Sequence, residues 1–170
     1  MSEMRVYVVP YDSNWVHRFE AEREHLGELL APWRLGPIEH VGSTAVPDLC
    51  AKPVIDVMVG VASLAQSAPA LDVLGRAGYQ HAAYKTDVMH WFCKPSFELR
   101  THHIHLIPFE SELWRERLAF RDALRFEPAL ATEYAELKQT LARSLEFDRE
   151  AYTEARLRSL RGFSNSSARE

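Results

Sequence analysis

Three groups of residues in this sequence have types and spacings that could support chemistry. The first is the triplet Gly42, Ser43 and Thr44, which follows the short apolar segment 38–41. Glycine lets a chain turn sharply after a strand, and the amide groups and hydroxyls that follow it can face a phosphate. A Gly-Ser turn after a strand is also common without a ligand. The triplet therefore indicates either a phosphate-binding turn or a plain turn, and Lys52 lies close enough in sequence to assist with an anion.

Asp56 is an acid inside the apolar run 54–61, which predicts a buried strand. A buried carboxylate is costly unless a metal, a cation or hydrogen bonds compensate it. Because strand side chains alternate, Asp56 shares its face with Met58, so no second acid completes an Asp-x-Asp metal pair. Two interpretations stay open. Asp56 is a metal-binding or catalytic carboxylate, or it bonds to backbone amides or to an arginine such as Arg100.

Histidines 102, 103 and 105 form the third group. Period-two geometry places His103 and His105 on one face of a strand and His102 on the other. Two imidazoles on one face can bind a single ion, although such a histidine is commonly structural. If this strand lies beside that of Asp56, the carboxylate and two imidazoles could converge. Such a trio favours manganese, zinc or iron over magnesium, which prefers oxygen ligands.

The elements that must position these residues predict an α+β fold. Apolar and alternating patterns predict strands at 38–41 and 54–61, then an antiparallel meander at 79–84, 90–94 and 100–107. Glu39 and His40 end the first of these strands and could supply a further ligand or base. The strands all lie in the first two thirds of the chain, so we expect one small mixed sheet.

Helices are predicted around the sheet and throughout the last third of the chain. The first precedes Pro32, with Val16, Phe19, Leu26 and Leu30 on its inward side. A second is predicted at 63–77. Beyond these, helical patterns begin after Ser111, at Pro128 and near Arg149, with Ser111 and Asp148 as N-caps. They predict a helical C-terminal cap, followed by a frayed tail at 164–170.

Composition restricts the classes of partner. The 170 residues suit a single domain, which we expect to span residues 1–163. A net charge of −4 with mixed signs offers no basic stripe for nucleic acid or anionic lipid, and no apolar run is long enough for a membrane span. Two cysteines without a Cys-x-x-Cys motif or a signal segment favour a reducing cytoplasm. The sequence leaves the oligomeric state open.

The same residues carry a resemblance to a known family. The motifs HVGSTAVP, AKPVIDV and RTHHIHL, at residues 40–47, 51–57 and 100–106, closely resemble those of the GrpB family. The motifs FRD, YAELK and DREAY, at 120–122, 134–138 and 148–152, extend the resemblance over nearly the whole chain. The resemblance implies a fold similar to that of the nucleotidyltransferase superfamily, in which a Gly-Ser turn lies beside nucleotide phosphates and strand carboxylates hold divalent metals.

Carried over by position, the resemblance implies a phosphate-side role for Gly42 and Ser43 and makes Asp56 the first metal carboxylate. Met58 stands where an active transferase is expected to have a second acid. Histidines stand on the His103 strand where a third carboxylate often lies. Two-metal phosphoryl transfer relies on oxygen ligands that bridge the ions and the triphosphate, so this chain departs from that mechanism.

The leading hypothesis is a metal-dependent nucleotidyltransferase-like protein that binds a nucleotide or another phosphorylated small molecule. It assigns phosphate contacts to the Gly-Ser turn, a divalent metal (manganese, zinc or magnesium) to the acid and two histidines, and charge neutralisation to a nearby cation. The phosphate contacts are assigned to Gly42, Ser43 and Thr44, and the metal to Asp56, His103 and His105. The nearby cation is Lys52 or Arg100. A small metallohydrolase and a non-catalytic binding module of the same fold are the alternatives. Met58 favours the module, whereas the clustered histidines favour a working metal site.

Overall fold

A computed structural model describes residues 6–145 together with Ala151, Tyr152, Ala155 and Arg158. Its centre is a five-stranded mixed sheet with helices packed on both faces. The strands are β1 (Arg34–Val41), β2 (Ile55–Val61), β3 (Gln80–Ala82), β4 (His90–Pro95) and β5 (Arg100–Pro108). The helices are α1 (Asn14–Leu29), α2 (Ala70–Arg76), α3 (Glu112–Phe126) and α4 (Pro128–Ser144). The predicted α+β class is confirmed.

The order of the strands in the sheet is β1-β2-β5-β4-β3. Strands β5, β4 and β3 form the predicted antiparallel meander, and β1 pairs antiparallel with β2. Strands β2 and β5 pair in parallel, with Asp56 opposite His103 and Met58 opposite His105. The two strands that carry the candidate metal ligands are therefore neighbours at the centre of the sheet.

The two faces of the sheet differ in character. On one face, Ile55, Val57 and Val59 of β2 pack with Phe19 and Leu26 of α1 in the largest buried apolar cluster. The other face is covered by α3 and carries a smaller apolar cluster. Burying each large aliphatic or aromatic side chain contributes about 1.5–3 kcal/mol, so the α1 face supplies most of the hydrophobic stabilisation. The α3 face leaves room for polar residues, and Asp56 lies there.

Helix α1 differs in phase from its sequence prediction. Val16 was expected to face inward, but it is exposed and Trp15 is buried in its place. The buried residues Trp15, Phe19, Glu22 and Leu26 follow one another at intervals of three or four, which defines the inward stripe. Glu22 belongs to this stripe because it finds polar partners on the sheet, so apolar residues alone could not reveal the phase.

Helix α2 is shorter than predicted, since it begins at Ala70 and not at Ser63. The hydroxyl of Ser67 donates to the carbonyls of Ser63 at 2.9 Å and Leu64 at 3.2 Å. Serine side chains that bond to nearby backbone in this way compete with helix formation. Residues 64–69 accordingly form turns. Leu74 is buried as predicted, whereas Leu64 is only half-buried.

The C-terminal helices follow the predicted pattern where the structure describes them. The Ser111 hydroxyl accepts a hydrogen bond from the amide of Trp114 at 3.4 Å and so caps α3. Pro128 opens α4. The predicted last helix lies largely outside the described residues, and the predicted cap Asp148 and the tail lie outside them entirely. In the described part of the chain, no helix combines the length and the apolar character needed to cross a membrane.

Candidate metal and ligand site

Asp56, His103 and His105 meet on the α3 face of the sheet. The parallel register places Asp56 beside His103, and His105 follows two residues later on the same face. Oδ1 of Asp56 lies 3.1 Å from Nδ1 of His103 and 3.3 Å from Nε2 of His105. The ligand atoms of the three residues all lie within 4.8 Å of one another. The convergence that the sequence hypothesis requires is thus observed, and we refer to these three residues as the trio.

The electrostatics of the trio favour an ionised Asp56 and a neutral His105. Burial opposes the ionisation of Asp56, but hydrogen bonds from His103 and His105 hold its pKa well below its usual range. Burial lowers the pKa of His105 to about 4, and the positive charge of Arg117 acts in the same direction. An ionised carboxylate only accepts hydrogen bonds, so both imidazoles donate N–H groups to Asp56. The same three atoms present lone pairs to a cation once each imidazole proton moves to the other nitrogen of its ring.

His103 keeps a second nitrogen without a partner. Its Nε2 atom is buried and has no hydrogen-bond partner. Among the described residues, it is the one buried side-chain nitrogen or oxygen without such a partner. An unsatisfied buried polar atom costs about 1–3 kcal/mol. The ring also packs against Trp91, with 5.0 Å between the centroids. Hydrogen bonding within the fold therefore does not account fully for a histidine at this position, which supports a role in binding.

Gly42 closes the site on the side of β1. Its backbone, with φ 73° and ψ −175°, occupies a region that is essentially restricted to glycine. A Cβ atom added at this position would lie 2.6 Å from Oδ2 of Asp56. The glycine is thus needed for the turn and for the close approach of the Asp56 carboxylate. The turn was predicted from the sequence, whereas this contact was not.

Thr44 points into the fold. Its buried hydroxyl donates to the carbonyl of Val54 at 3.2 Å and lies 2.9 Å from Nε2 of His40. Because a hydroxyl carries one proton, His40 must donate to Thr44 from a protonated Nε2. The Thr44 hydroxyl is therefore engaged in joining β1 to the segment before β2. A phosphate contact from Thr44 stays an untested prediction.

His40 is a buried, neutral histidine on the α1 face. Its ring stacks on Phe19 with 4.6 Å between centroids and 9° between the planes. Burial lowers the pKa of His40 to about 4. The charge of Asp56 opposes this shift, whereas Arg125 and Arg121 reinforce it. The folded protein therefore resists protonation of His40 under mildly acidic conditions.

We predict that the protein loses stability as the pH falls from 6.5 towards 4. Unfolded His40 takes up a proton below its ordinary pKa of 6.5, while the folded protein holds it neutral down to about pH 4. Because the unfolded chain binds more protons in this window, His40 alone should cost about 2 kcal/mol of unfolding free energy by about pH 5. Urea unfolding at a series of pH values measures the slope. His40→Gln should flatten it, and the exposed His17→Gln serves as the control; an unchanged slope in His40→Gln contradicts the prediction.

The other predicted ligand-binding side chains lie in separate places. Ser43 is half-buried and opens the short 3₁₀ turn next to Gly42. Arg100 lies 5.4 Å from the ring centroid of Trp91, the residue that contacts His103. Its Nε donates to the carbonyl of Phe97 at 2.9 Å, and the bonds to Asp56 come from histidines and not from Arg100. Arg100 thus borders the site without compensating Asp56 directly.

Lys52 has a different environment from the one the sequence suggested. Its ammonium lies 4.8 Å from the ring centroid of Tyr152. Tyr152 belongs to an apolar cluster with Val6 and Ala142, which includes residues of α4. The structure therefore places Lys52 beside the C-terminal helices, and a phosphate contact from Lys52 stays an untested prediction.

Helix α3 brings arginines to this face that the sequence analysis did not single out. Arg117 has Nη2 3.9 Å from the sulfur of Met89, and that sulfur lies 3.5 Å from Nδ1 of His105. Arg121 and Arg125 follow at intervals of four, so the three arginines share one side of the helix. This spacing was the signal available in the sequence. It could not show which part of the sheet the arginines would reach.

Arg121 and Arg125 hold the end of β1 and the turn that follows it. Arg121 donates from Nη1 to the Glu39 carboxylate at 2.6 Å and to the His40 carbonyl at 3.1 Å. Arg125 donates from Nε to the carbonyl of Ala45 at 2.9 Å. Helix α3 therefore fixes the backbone on both sides of Gly42. It also adds positive charge beside a site that contains an ionised acid.

Met58 is fully buried in the apolar cluster of the α3 face, together with Met89 and Trp114. Its Cα partners are Glu39 on β1 and His105 on β5. The position where the family resemblance places a second acid is therefore apolar and closed to water. The nearest strand acid, Glu39, is paired with Arg121.

The residues present fit one transition-metal ion better than a pair of magnesium ions. Two imidazoles and one carboxylate form a donor set that suits manganese, iron or zinc. Magnesium prefers an all-oxygen environment. A metal-binding group needs at least three histidine, cysteine or acidic side chains close enough to share an ion. Among the described residues, the trio is the one such group. A second ion would have to bind without a protein cluster of this kind.

Comparison with known proteins agrees with the fold and assigns the family. The strand order and the flanking helices agree with a nucleotidyltransferase-like fold. A family model described as GrpB protein matches residues 5–164. The chain belongs to the GrpB family.

The sequences of related proteins align with most of this chain. A UPF0157 protein of Pseudomonas aeruginosa is 40% identical over 153 residues, which is 88% of this chain and 62% of that protein. The Bacillus subtilis UPF0157 protein YqkA is 31% identical over 138 residues, covering 81% of this chain and 40% of its own length. The glutamate-rich protein GrpB of Alkalihalophilus pseudofirmus is 33% identical over 87% of both chains. This chain thus spans less than two thirds of the first two relatives.

Solved structures show the same fold. The conserved protein GrpB from Enterococcus faecalis superposes with a TM-score of 0.75 at 32% identity, covering 92% of this chain and 99% of that one. The GLD-2/RNP-8 complex gives 0.61 at 12% identity, with 89% and 60% covered. The Cid1 poly(U) polymerase, solved with MgATP, gives 0.53 at 12% identity, with 78% and 45% covered. At such low identity the last two show the fold alone.

Proposed function

We propose that this chain is a metal-dependent, nucleotidyltransferase-like protein that binds a nucleotide or another phosphorylated small molecule. The observation that carries the proposal is the convergence of Asp56, His103 and His105 beside the Gly42 turn. The Cid1 structure, a polymerase with MgATP on a similar fold, gives independent support for a nucleotide as the ligand class.

Each part of the site has a role in this proposal. Asp56, His103 and His105 hold one divalent ion, with manganese or zinc preferred to magnesium. When bound, such an ion polarises a phosphoryl oxygen and offsets the charge that develops during transfer. Gly42 and Ser43 border the phosphates. The arginines of α3 and Arg100 add positive potential that attracts an anionic ligand and stabilises it.

A non-catalytic binding module of the same fold is the second candidate. Met58 favours it, because this fully buried apolar residue stands where the family resemblance expects the second acid of an active transferase. The paired state of Glu39 leaves that gap unfilled. A module of this kind would keep the metal and the ligand but would not release pyrophosphate.

The proposal places the protein in the cytoplasm. Its two cysteines, Cys50 and Cys93, both lie in the described part of the chain and form no disulfide there, which suits a reducing compartment. The ligand in this proposal is a small molecule, because the mixed charges of the sequence offer no basic stripe for long nucleic acids.

Calorimetric titration of the metal-stripped protein tests the proposal. We expect manganese or zinc to bind at one site and ATP to bind only when the metal is present. His103→Ala should weaken metal binding by more than about 100-fold, because even the residues that orient metal ligands are worth 10–100-fold. His17→Ala, at an exposed position on α1, is the matched control. Absence of metal binding in the wild type would leave the trio as a structural polar cluster and refute the proposal.

A turnover assay separates the two candidates. The metal-loaded protein is incubated with each nucleoside triphosphate and a mixture of candidate acceptors, and pyrophosphate release is measured. Metal-dependent release that disappears in Asp56→Asn supports a transferase. Metal-dependent binding without release supports the binding module.

A further inference from the structure

We propose that a nucleobase stacks on an aromatic shelf beside the trio, and that this shelf makes the site prefer nucleotides to simple phosphates. The shelf consists of Tyr84, Trp91, Phe97 and the guanidinium of Arg100. The inference rests on the proposed function, because it names the part of the ligand that lies next to the metal-bound phosphates. Apart from the contact of Trp91 with His103, it uses contacts outside the trio and the Gly42 turn.

The shelf is continuous with the trio. Tyr84 meets Trp91 edge to face, with 6.3 Å between centroids and 69° between the planes. Arg100 bridges the other side, since its guanidinium carbon lies 5.4 Å from the centroid of Trp91 and 6.0 Å from that of Phe97. Trp91 in turn contacts the ring of His103. Two successive ring contacts therefore lead from Tyr84 to a candidate metal ligand.

Exposure divides the shelf into a floor and two accessible ends. Trp91 is 7% exposed and forms the floor. Tyr84 is 40% exposed in the loop before β4, and Phe97 is 36% exposed in the loop after it. Large aromatic side chains left open beside a polar cluster are typical of a ligand site. Neither ring is needed to fill the apolar clusters of the core.

The composition of the shelf matches the faces of a nucleobase. Bases stack on aromatic rings and on the planes of arginine side chains, and every base offers such a face. The ammonium of Lys85 lies 5.6 Å from the ring centroid of Tyr84 and adds a further positive charge at the exposed end. A nucleotide whose ring lies on Tyr84 would direct its ribose and phosphates along Trp91 towards His103. The trio and the arginines of α3 would then meet the anionic end.

The test compares two ligands that share phosphates and differ in the base. Manganese-loaded protein is titrated with ATP and with inorganic tripolyphosphate. We expect ATP to bind more tightly than tripolyphosphate. Tyr84→Ala should weaken ATP binding about tenfold and leave tripolyphosphate binding unchanged, because base stacking contributes only to the first ligand. Tyr84→Phe should keep most of the ATP affinity.

Phe126→Ala is the matched control, since Phe126 is 82% exposed on α3 and is not part of the shelf. It should change neither affinity. Equal binding of both ligands to the wild type, unaltered by Tyr84→Ala, overturns the shelf but leaves the metal-dependent phosphate site intact. A parallel loss of both ligands in Tyr84→Ala also contradicts base stacking, because it shows a general effect on the site. Binding of neither ligand refutes the proposed function and the shelf with it.

Discussion

Gly42→Ala is expected to destabilise the folded protein by about 3 kcal/mol and to weaken metal binding at the trio. The backbone of Gly42 lies in a region that costs other residues about 1–3 kcal/mol. The added Cβ would also lie 2.6 Å from Oδ2 of Asp56, closer than such atoms approach. Relief of that contact must move the turn or the carboxylate. If the carboxylate moves, its hydrogen bonds to His103 and His105 lengthen as well.

Urea unfolding and manganese calorimetry on the same variant measure the two effects. Gly75→Ala is the matched control, because a Cβ added at Gly75 in α2 meets no atom within 4 Å. Alanine is favoured over glycine by about 1 kcal/mol within a helix, so this control should be neutral or slightly stabilised. Wild-type manganese affinity in Gly42→Ala would show that the position of Asp56 does not depend on the turn.

The sequence was most informative about the trio because its signals are local. Side chains alternate between the two faces of a strand. The sequence therefore shows which residues share a face with Asp56, and that His103 and His105 share one, independently of the rest of the fold. Only one non-local fact was missing, namely whether β5 lies beside β2. The sequence allowed this arrangement without requiring it, because a parallel pair depends on a long connection and not on a turn.

The sequence was less informative where partners distant in sequence decide the environment of a residue. Thr44 was predicted to contact a phosphate beside Gly42, and the sequence could not show that its hydroxyl bonds to Val54 and His40. Lys52 was predicted to assist with an anion, which stays untested, and the sequence could not show that its ammonium lies over the ring of Tyr152. The phase of α1 was misjudged because Glu22, an acid, occupies an inward position. None of these arrangements leaves a local pattern.

The arginines of α3 illustrate a signal that was present but incomplete. Their spacing of four places Arg117, Arg121 and Arg125 on one side of a helix. Which part of the sheet they meet depends on how α3 crosses it, and packing sets that angle. The structure shows contacts with Met89, Glu39 and the backbone around Gly42, so the helical cap contributes to the site as well as to stability.

Glu22 joins α1 to the sheet on the face opposite the trio. Its carboxylate is 4% exposed and accepts hydrogen bonds from the Tyr79 hydroxyl at 2.5 Å and from the Lys94 ammonium. Burial, reinforced by the bond to Glu22, raises the pKa of Tyr79, so the phenol stays a donor. Lys94 also lies 5.2 Å from the ring centroid of Tyr79. The three side chains satisfy one another, which is how a buried acid is tolerated inside an apolar stripe.

Glu22→Ala should therefore lower the free energy of unfolding by about 3 kcal/mol, because it leaves Lys94 and Tyr79 without their shared acceptor and opens a cavity. Glu24→Ala, the same change at an exposed position of α1, should stay within about 0.5 kcal/mol of the wild type. Manganese affinity should be unchanged in both variants, because Glu22 and the trio lie on opposite faces of the sheet. Gly42→Ala is expected to lose both properties, and Glu22→Ala only stability. If metal affinity falls with stability in Glu22→Ala, the two faces are coupled through β4 and β5, and the trio depends on the whole sheet.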